Sequence, residues 1–273
     1  MDRYTALKWI ERWDRQQESG MPVREDRFTA LIDALEAAIA RDRTGTASDA
    51  LEAASDAPVV LDIGCGPGSL AVRIKERLPH VTVIGVDTDP VTLALARAAY
   101  PDLTFQDQDL REEGWTSRLG IGSIDAAVST TALHWLPEMD LRAFYKELTT
   151  ILKPGAVLLN GDHFAVDAMQ TPTLAALDRA VRDREDQRRF PHGHQDTWQG
   201  WWQEVAQDPD LAGYSAERDR RRVEAAHGSS ETDQLAVHVD ALTAAGFAEV
   251  GTVWQHGDLR ILCAVTGGVT RSS

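Results

Sequence analysis

The residues of this chain best suited to chemistry are three closely spaced glycines and the acids that surround them. Gly64, Gly66 and Gly68 lie in VVLDIGCGPGSLAVRI, which begins at Val59 and runs from an apolar strand into a helical pattern. A glycine-rich turn between a strand and a helix lets a ligand approach backbone N–H groups, because glycine has no Cβ. Taken alone, this pattern is compatible with NAD, FAD or another nucleotide.

Three features distinguish between these ligands: the sequence of the loop, Asp62 and Asp87. The spacing G-C-G-P-G differs from G-x-G-x-x-G, no P-loop Lys-Ser/Thr follows, and Pro67 removes a backbone donor. Asp62 precedes the first glycine, where a carboxylate would repel a pyrophosphate and attract an ammonium group. Asp87 ends the next strand about 20 residues beyond the loop, where an acid can bond both ribose hydroxyls. S-adenosylmethionine (SAM) has a ribose and an amino group but no phosphate, so it meets all three conditions.

The elements that must position these residues alternate between strand and helix from Pro58 onward. PVVLDI, VTVIGVD, SIDAAVST and AVLLNGD are short, β-branched runs, separated by helical patterns such as DLRAFYKELTTIL. This alternation predicts a doubly wound α/β fold with helices on both faces of a parallel sheet. AEVGTVWQH and DLRILCAVTG predict two final strands joined at His256-Gly257-Asp258.

Several motifs of this core resemble those of class I SAM-dependent methyltransferases that act on small molecules, of the trans-aconitate and ubiquinone-biosynthesis type. They are LDIGCGPG, VIGVDTDP, FQDQDL, IDAAVSTTALHWLPE and LKPGAVLL, and they cover Val59 to about Asn160. The resemblance implies a Rossmann-like sheet of seven strands, parallel except for one antiparallel C-terminal strand. It also implies SAM as cofactor and S-adenosyl-L-homocysteine (SAH) as product.

The same resemblance implies the residues that hold the cofactor. In FQDQDL, Asp109 would read the adenine amino group and Leu110 would pack on the ring; Asp107 competes for this role, but no apolar residue follows it. Thr130 stands where many relatives carry Asn. Arg24 is chosen from the N-terminal arginines to pair with the cofactor's carboxylate. The expected cofactor-binding residues are Asp62, Gly64, Cys65, Gly66, Asp87, Thr88, Asp109, Leu110, Thr130 and Arg24.

Two histidines follow predicted strands, at the edge where open α/β sheets bind ligands. His134 lies in ALHWLPE and His163 in NGDHF. Either could act as a general base or orient an acceptor hydroxyl, and either could instead bond a loop carbonyl. We therefore take His134 and His163 as the catalytic candidates. The sequence shows no spacing typical of metal ligands, so we expect no metal site.

The expected activity is methyl transfer to a small organic molecule, with oxygen as the favoured acceptor atom. Nitrogen or carbon remains an alternative acceptor, and so does a regulatory or rearrangement role in which SAM binds without methyl transfer. The composition is rich in alanine and arginine, as in high-GC bacteria, where tailoring of secondary metabolites would be a natural setting.

The outer segments predict a lid and a cap around the core. We expect N-terminal helices and a linker (1–57), the SAM-binding core (58–163), a helical or irregular cap insertion (164–230), and a C-terminal helix and strand hairpin (231–273). Trp9 and Trp13 in the first helix are candidates for closing the site. The aromatic residues and histidines of the insertion could line an acceptor pocket or form a small core of their own: Trp198, Trp201, Trp202, Tyr214, His192 and His194.

Composition excludes several other classes of protein. The 273 residues carry a net charge of -15, which disfavours nucleic acid as a partner. No apolar run approaches the roughly 20 residues of a membrane span, and the N-terminus is too polar for a signal peptide. The two cysteines, Cys65 and Cys263, show no disulfide or metal spacing. We expect a cytoplasmic monomer or homodimer.

Overall fold

The computed structural model describes residues 1–42, 57–165, 169–193, 196–221 and 234–268. Its strands are β1 (Val59–Ile63), β2 (Thr82–Asp87), β3 (Thr104–Asp107), β4 (Ile124–Thr130), β5 (Leu152–His163), β6 (Phe247–His256) and β7 (Leu259–Thr266). Its helices are α1 (Arg3–Gly20), α2 (Arg24–Asp42), α3 (Ser69–Arg77), α4 (Pro90–Ala99), α5 (Trp115–Arg118), α6 (Glu138–Leu148), α7 (Pro172–Arg189), α8 (Trp198–Val205), α9 (Ala212–Arg221) and α10 (Leu235–Ala245). Most of the predicted linker, 43–56, lies outside the described residues.

The seven strands form one sheet in the order β3-β2-β1-β4-β5-β7-β6. β7 runs antiparallel to both of its neighbours, and the other six strands share one direction. The predicted doubly wound α/β fold with one antiparallel C-terminal strand is therefore confirmed. Strand order reverses between β1 and β4, and ligands of open α/β sheets bind outside the carboxyl ends at such a point.

Both faces of the sheet are covered by helices, as the apolar strand sequences require. Leu61 and Ile63 of β1 pack on one face with α6 and α10, whereas Val60 packs on the other face with α2, α3 and α4. The apolar stripe of α2 is buried there along its whole length, from Phe28 to Ile39. This two-sided core fixes the strand ends that carry the site.

The insertion between β5 and α10 is helical where it is described, forming α7, α8 and α9, which we call the cap. A third apolar cluster joins α1 to α8 and α4 through Trp9, Trp201 and Leu95. The indole N–H of Trp201 donates to the backbone oxygen of Trp9 at 3.2 Å. Arg12 of α1 donates to Glu204 of α8 at 2.7 Å. The N-terminal helix and the cap are thus packed together although they are distant in sequence.

The structure describes no helix with the length and apolar character needed to cross a membrane.

The packing of α1 against the cap predicts that two tryptophan substitutions lower the free energy of unfolding by different amounts. Trp201 is 1% exposed, so Trp201→Ala leaves a cavity and should lower the free energy of unfolding by about 3–5 kcal/mol. Trp198, which is 37% exposed, serves as the control, and Trp198→Ala should cost less than half as much. Urea denaturation measures both; equal losses would contradict this packing.

Candidate active site

The glycine loop that follows β1 adopts a backbone that side chains rarely allow. Gly64, Gly66 and Gly68 have φ values of 63°, 53° and 84°, in the left-handed region. A Cβ added to Gly64 would lie 2.3 Å from the Cβ of Ala132, in the connection after β4. The two loops therefore touch at a distance that only glycine permits, which brings the ends of β1 and β4 to one site.

Asp87 at the end of β2 braces this loop. Its Oδ2 accepts from the backbone N–H of Gly66 at 2.7 Å, and its Oδ1 accepts from the N–H of Asp89 at 2.8 Å. Burial raises the pKa of Asp87 to about 6. A carboxylate held by two backbone donors is fixed in place and keeps lone pairs for ligand hydroxyls.

A cavity of about 560 Å³ opens over the loop, bounded by the strand ends, α1, α2 and the cap. Most of the residues expected from sequence line it. These are Arg24, Gly64, Cys65, Gly66, Asp87, Thr88, Asp109, Leu110, Thr130 and His134. Asp62 and His163 do not line it.

Asp62 is buried beneath the loop instead of facing the cavity. Its side chain is 1% exposed, and its Oδ2 has no hydrogen-bond partner among the described residues. Burial, with a contribution from Asp87, raises the pKa of Asp62 to about 8, so the acid is mostly neutral at pH 7. The expectation of an ionised carboxylate facing the ligand is corrected to a buried acid with one unsatisfied oxygen. An ammonium group nearby would favour its ionisation.

His163 belongs to the sheet and not to the cavity. It still pairs with Leu259 of β7, and its Nδ1 lies 3.3 Å from Oδ2 of Asp258. The same carboxylate oxygen accepts from Arg182 at 2.8 Å. Because the contact with Asp258 holds the ring beside the start of β7, the expectation that His163 flanks the acceptor is not met.

His134 lies at the cavity with its ring held by an acid. Nδ1 is 2.7 Å from Oδ1 of Asp162, which is buried at the end of β5. Burial alone would raise the pKa of Asp162, but His134 and His163 beside it bring that pKa below its ordinary value. When an ionised Asp162 accepts from the N–H of Nδ1, Nε2 is the ring nitrogen that can accept a proton. This is the orientation that a general base requires.

Two of the expected cofactor contacts are already paired within the protein. Arg24 donates to Asp14 at 2.8 Å and lies over the Phe28 ring, and burial lowers its pKa. Asp109 accepts two side-chain hydrogen bonds from Arg111, at 2.9 and 2.6 Å. A cofactor that uses either side chain must share or replace the existing partner.

Four tryptophans form a continuous aromatic surface along the cavity, which we call the tryptophan wall: Trp13, Trp135, Trp198 and Trp202. They come from α1, from the turn after β4, and from α8. Trp198 lies 6.2 Å from Trp135, 5.4 Å from Trp13 and 5.6 Å from Trp202, measured between ring centroids.

The other residues singled out in the insertion lie elsewhere. Trp201 is in the core, and neither Tyr214 nor His192 lines the cavity. His194 is outside the described residues.

Sequence reasoning missed two residues of the site. Asp162 is the last residue of the run AVLLNGD, and its place at a strand end could have identified it. Arg218 of α9 is buried, donates to Asp89 at 2.6 Å, and lies 3.8 Å from the ring centroid of Trp202. No local pattern distinguishes it from the other arginines of the cap.

The residues present fit S-adenosylmethionine. The glycine loop lets a ligand approach its backbone without meeting a Cβ atom, and Asp87 offers a carboxylate at the strand end suited to ribose hydroxyls. Asp87 and the loop would hold the nucleoside, and the cavity extends beyond them to His134.

The close approach of Gly64 to Ala132 can be tested against a matched glycine. Gly120 has nearly the same φ, 64°, but an added Cβ would meet nothing within 4 Å. Gly120→Ala should cost about 1–2 kcal/mol of stability from backbone strain alone. Gly64→Ala adds a clash and should cost clearly more. Chemical denaturation of both variants measures the difference, and equal costs would refute the close contact.

Comparison with known proteins agrees with this geometry. Residues 60–155 match a family described as a methyltransferase domain. A trans-aconitate 2-methyltransferase from Azoarcus sp. (strain BH72) is 36% identical over 121 residues, which cover 44% of this chain and 45% of that protein. Another, from Escherichia coli (strain K12 / DH10B), is 33% identical over 99 residues, 36% of each chain. The match thus spans less than half the length of these curated relatives.

One solved structure is similar over nearly the whole chain. Magnesium protoporphyrin IX methyltransferase from Synechocystis PCC 6803, with bound SAM, gives a TM-score of 0.50 at 16% identity and covers 94% of this chain and 91% of that one. At this identity the likeness shows the fold. The family match and the fold together identify residues 60–155 of this chain as a methyltransferase domain.

Proposed function

We propose that this protein transfers a methyl group from SAM to a hydroxyl oxygen of a small organic molecule. The observation that carries the proposal is the His134–Asp162 pair, whose histidine lines the same cavity as the glycine loop. A loop suited to SAM and an oriented base in one cavity provide the two parts that methylation of a hydroxyl requires.

The cofactor side rests on the loop and on Asp87. SAM supplies an electrophilic methyl group on a sulfonium and leaves as SAH. The fixed carboxylate of Asp87 would bond the ribose hydroxyls, and the glycines of the loop leave room for the nucleoside beside it.

The acceptor side rests on His134. Nε2 of its ring would take the hydroxyl proton as the acceptor oxygen forms its new bond to carbon, while Asp162 stabilises the resulting imidazolium. α1 and the cap would enclose the reactants, and exclusion of water protects an in-line displacement from competing hydrolysis. The protein thus aligns the acceptor, removes its proton and shields the site.

The alternatives differ in what they ask of His134. An amine or carbon acceptor, and SAM binding without transfer, leave the oriented pair without its proton-transfer role. The relatives named trans-aconitate 2-methyltransferase suggest a carboxylate acceptor, which also needs no base. The buried Asp162 beneath a histidine of the cavity favours a hydroxyl, because such a pair sets the tautomer that accepts a proton.

The activity is tested by supplying methyl-deuterated SAM with a panel of alcohols, phenols, amines and carboxylic acids. Mass spectrometry follows the label. A labelled methyl ether supports the proposal, and labelled amines or esters only would contradict it. With the acceptor in hand, His134→Ala should lower kcat by about 10²–10⁴-fold and leave the Kd for SAH unchanged, because only proton transfer is lost.

His163→Ala is the matched control for His134→Ala. His163 ends β5, which neighbours β4, but its ring lies outside the cavity. kcat of His163→Ala should therefore stay within about threefold of the parent. Loss of activity in both variants to the same degree would remove the special role of His134.

The contact between Asp87 and ribose predicts a pH dependence of cofactor binding. Because the pKa of Asp87 is about 6, its carboxylate is present above that pH and is lost below it. The Kd for SAM should therefore be constant near neutral pH and rise as the pH falls through about 6. Calorimetry measures the trend.

Asp87→Asn should bind SAM weakly and lose this pH dependence. Asp107→Asn is the control, because Asp107 lies one strand away and pairs with Arg221 at 2.8 Å. It should keep the parent profile. An unchanged Kd in Asp87→Asn would refute the assignment to ribose.

A further inference from the structure

We propose that the acceptor is an aromatic hydroxyl compound whose ring lies against the tryptophan wall, with its hydroxyl group at His134. This inference rests on the proposed function and adds the chemical class of the acceptor. The wall, the charge balance of the cavity and the position of His134 carry it independently of one another.

The wall begins at the base itself. The ring of His134 lies 5.2 Å from that of Trp135, which is 6.2 Å from Trp198 at an interplanar angle of 26°. Trp13 and Trp202 extend the surface from Trp198. A flat ligand that reaches His134 with a hydroxyl group therefore has aromatic faces and edges beside the rest of its ring. Such contacts favour an aromatic ring over a saturated one of equal size.

The rings are held in place by neighbouring side chains. Trp202 has the guanidinium of Arg218 over its ring at 3.8 Å, and that arginine is fixed by Asp89. Trp13 is packed edge-on against Trp201 of the core, with centroids 5.0 Å apart. A surface fixed in this way binds a rigid planar ligand with little loss of side-chain entropy.

The charges of the cavity disfavour a polyanionic acceptor. The arginines that line it are Arg24, Arg111 and Arg218, and each is bonded to a carboxylate of the protein. The acids that line it are also three: Asp87, Asp89 and Asp109. A tricarboxylate would have to displace existing ion pairs, at the cost of leaving buried charges unpaired. A neutral aromatic compound displaces none.

Two ligands of the same skeleton separate an aromatic contact from simple apolar burial. 2-Naphthol and decahydro-2-naphthol both carry one hydroxyl on a fused bicycle, but only the first has a π face. Equilibrium dialysis with the full chain and saturating SAH, whose binding is verified by calorimetry, keeps the ligands out of the adenosine region. 2-Naphthol should bind about 3- to 10-fold more tightly, although the saturated alcohol is the more apolar compound.

Substitutions of Trp198 locate the contact. Trp198→Leu should abolish the preference for 2-naphthol, and Trp198→Phe should restore part of it. Tyr214→Leu is the control, since Tyr214 is an exposed aromatic residue of the cap that does not line the cavity, and the preference should persist. Citrate, the tricarboxylate probe, should bind more weakly than 2-naphthol.

Equal binding of the two bicycles would overturn the inference. An unchanged preference in Trp198→Leu, or tighter binding of citrate, would do the same. These results are distinct from failure of the proposed function. That failure would appear as no SAM-derived methyl on any hydroxyl compound, or as no binding of SAH, and neither depends on the ratio between the bicycles.

Discussion

The contact between Gly64 and Ala132 is the constraint on which the site depends. Because a side chain at Gly64 would collide with Ala132, the loops after β1 and β4 can touch only through glycine. The first loop is braced by Asp87, and the second leads directly to His134. The proposed cofactor site and the proposed base share one cavity because these loops meet.

The acceptor side depends on a different kind of interaction. Trp13 and Trp198 come from α1 and the cap, which are joined by the buried indole of Trp201 and by ion pairs such as Arg12 with Glu204. Backbone pairing of the sheet fixes the cofactor side, whereas contacts between side chains of distant segments fix the acceptor side. The second arrangement tolerates change more readily, so ligand specificity can vary over a constant sheet.

Sequence reasoning reached the parts that local patterns encode. The alternating strands, the glycine loop and Asp87 all follow from period and spacing, and the structure places them as those patterns require. The exact state of Asp62 did not follow, because burial beneath a loop is a property of tertiary packing. His163 and His134 carry equivalent local signals. Only the pairing of β5 with β7 draws His163 away from the cavity, and that pairing involves a strand about a hundred residues later.

The family match likewise leaves out residues that only tertiary packing brings to the cavity. The family match ends at residue 155 and so includes His134 and Trp135, whereas Trp13, Trp198 and Trp202 lie outside it. The compared region thus contains the glycine loop, Asp87 and His134, but three of the four rings of the tryptophan wall are contributed by the segments around it. Similarity to trans-aconitate methyltransferases therefore informs the transfer chemistry. The acceptor must be inferred from the wall and from a cavity whose arginines are already paired.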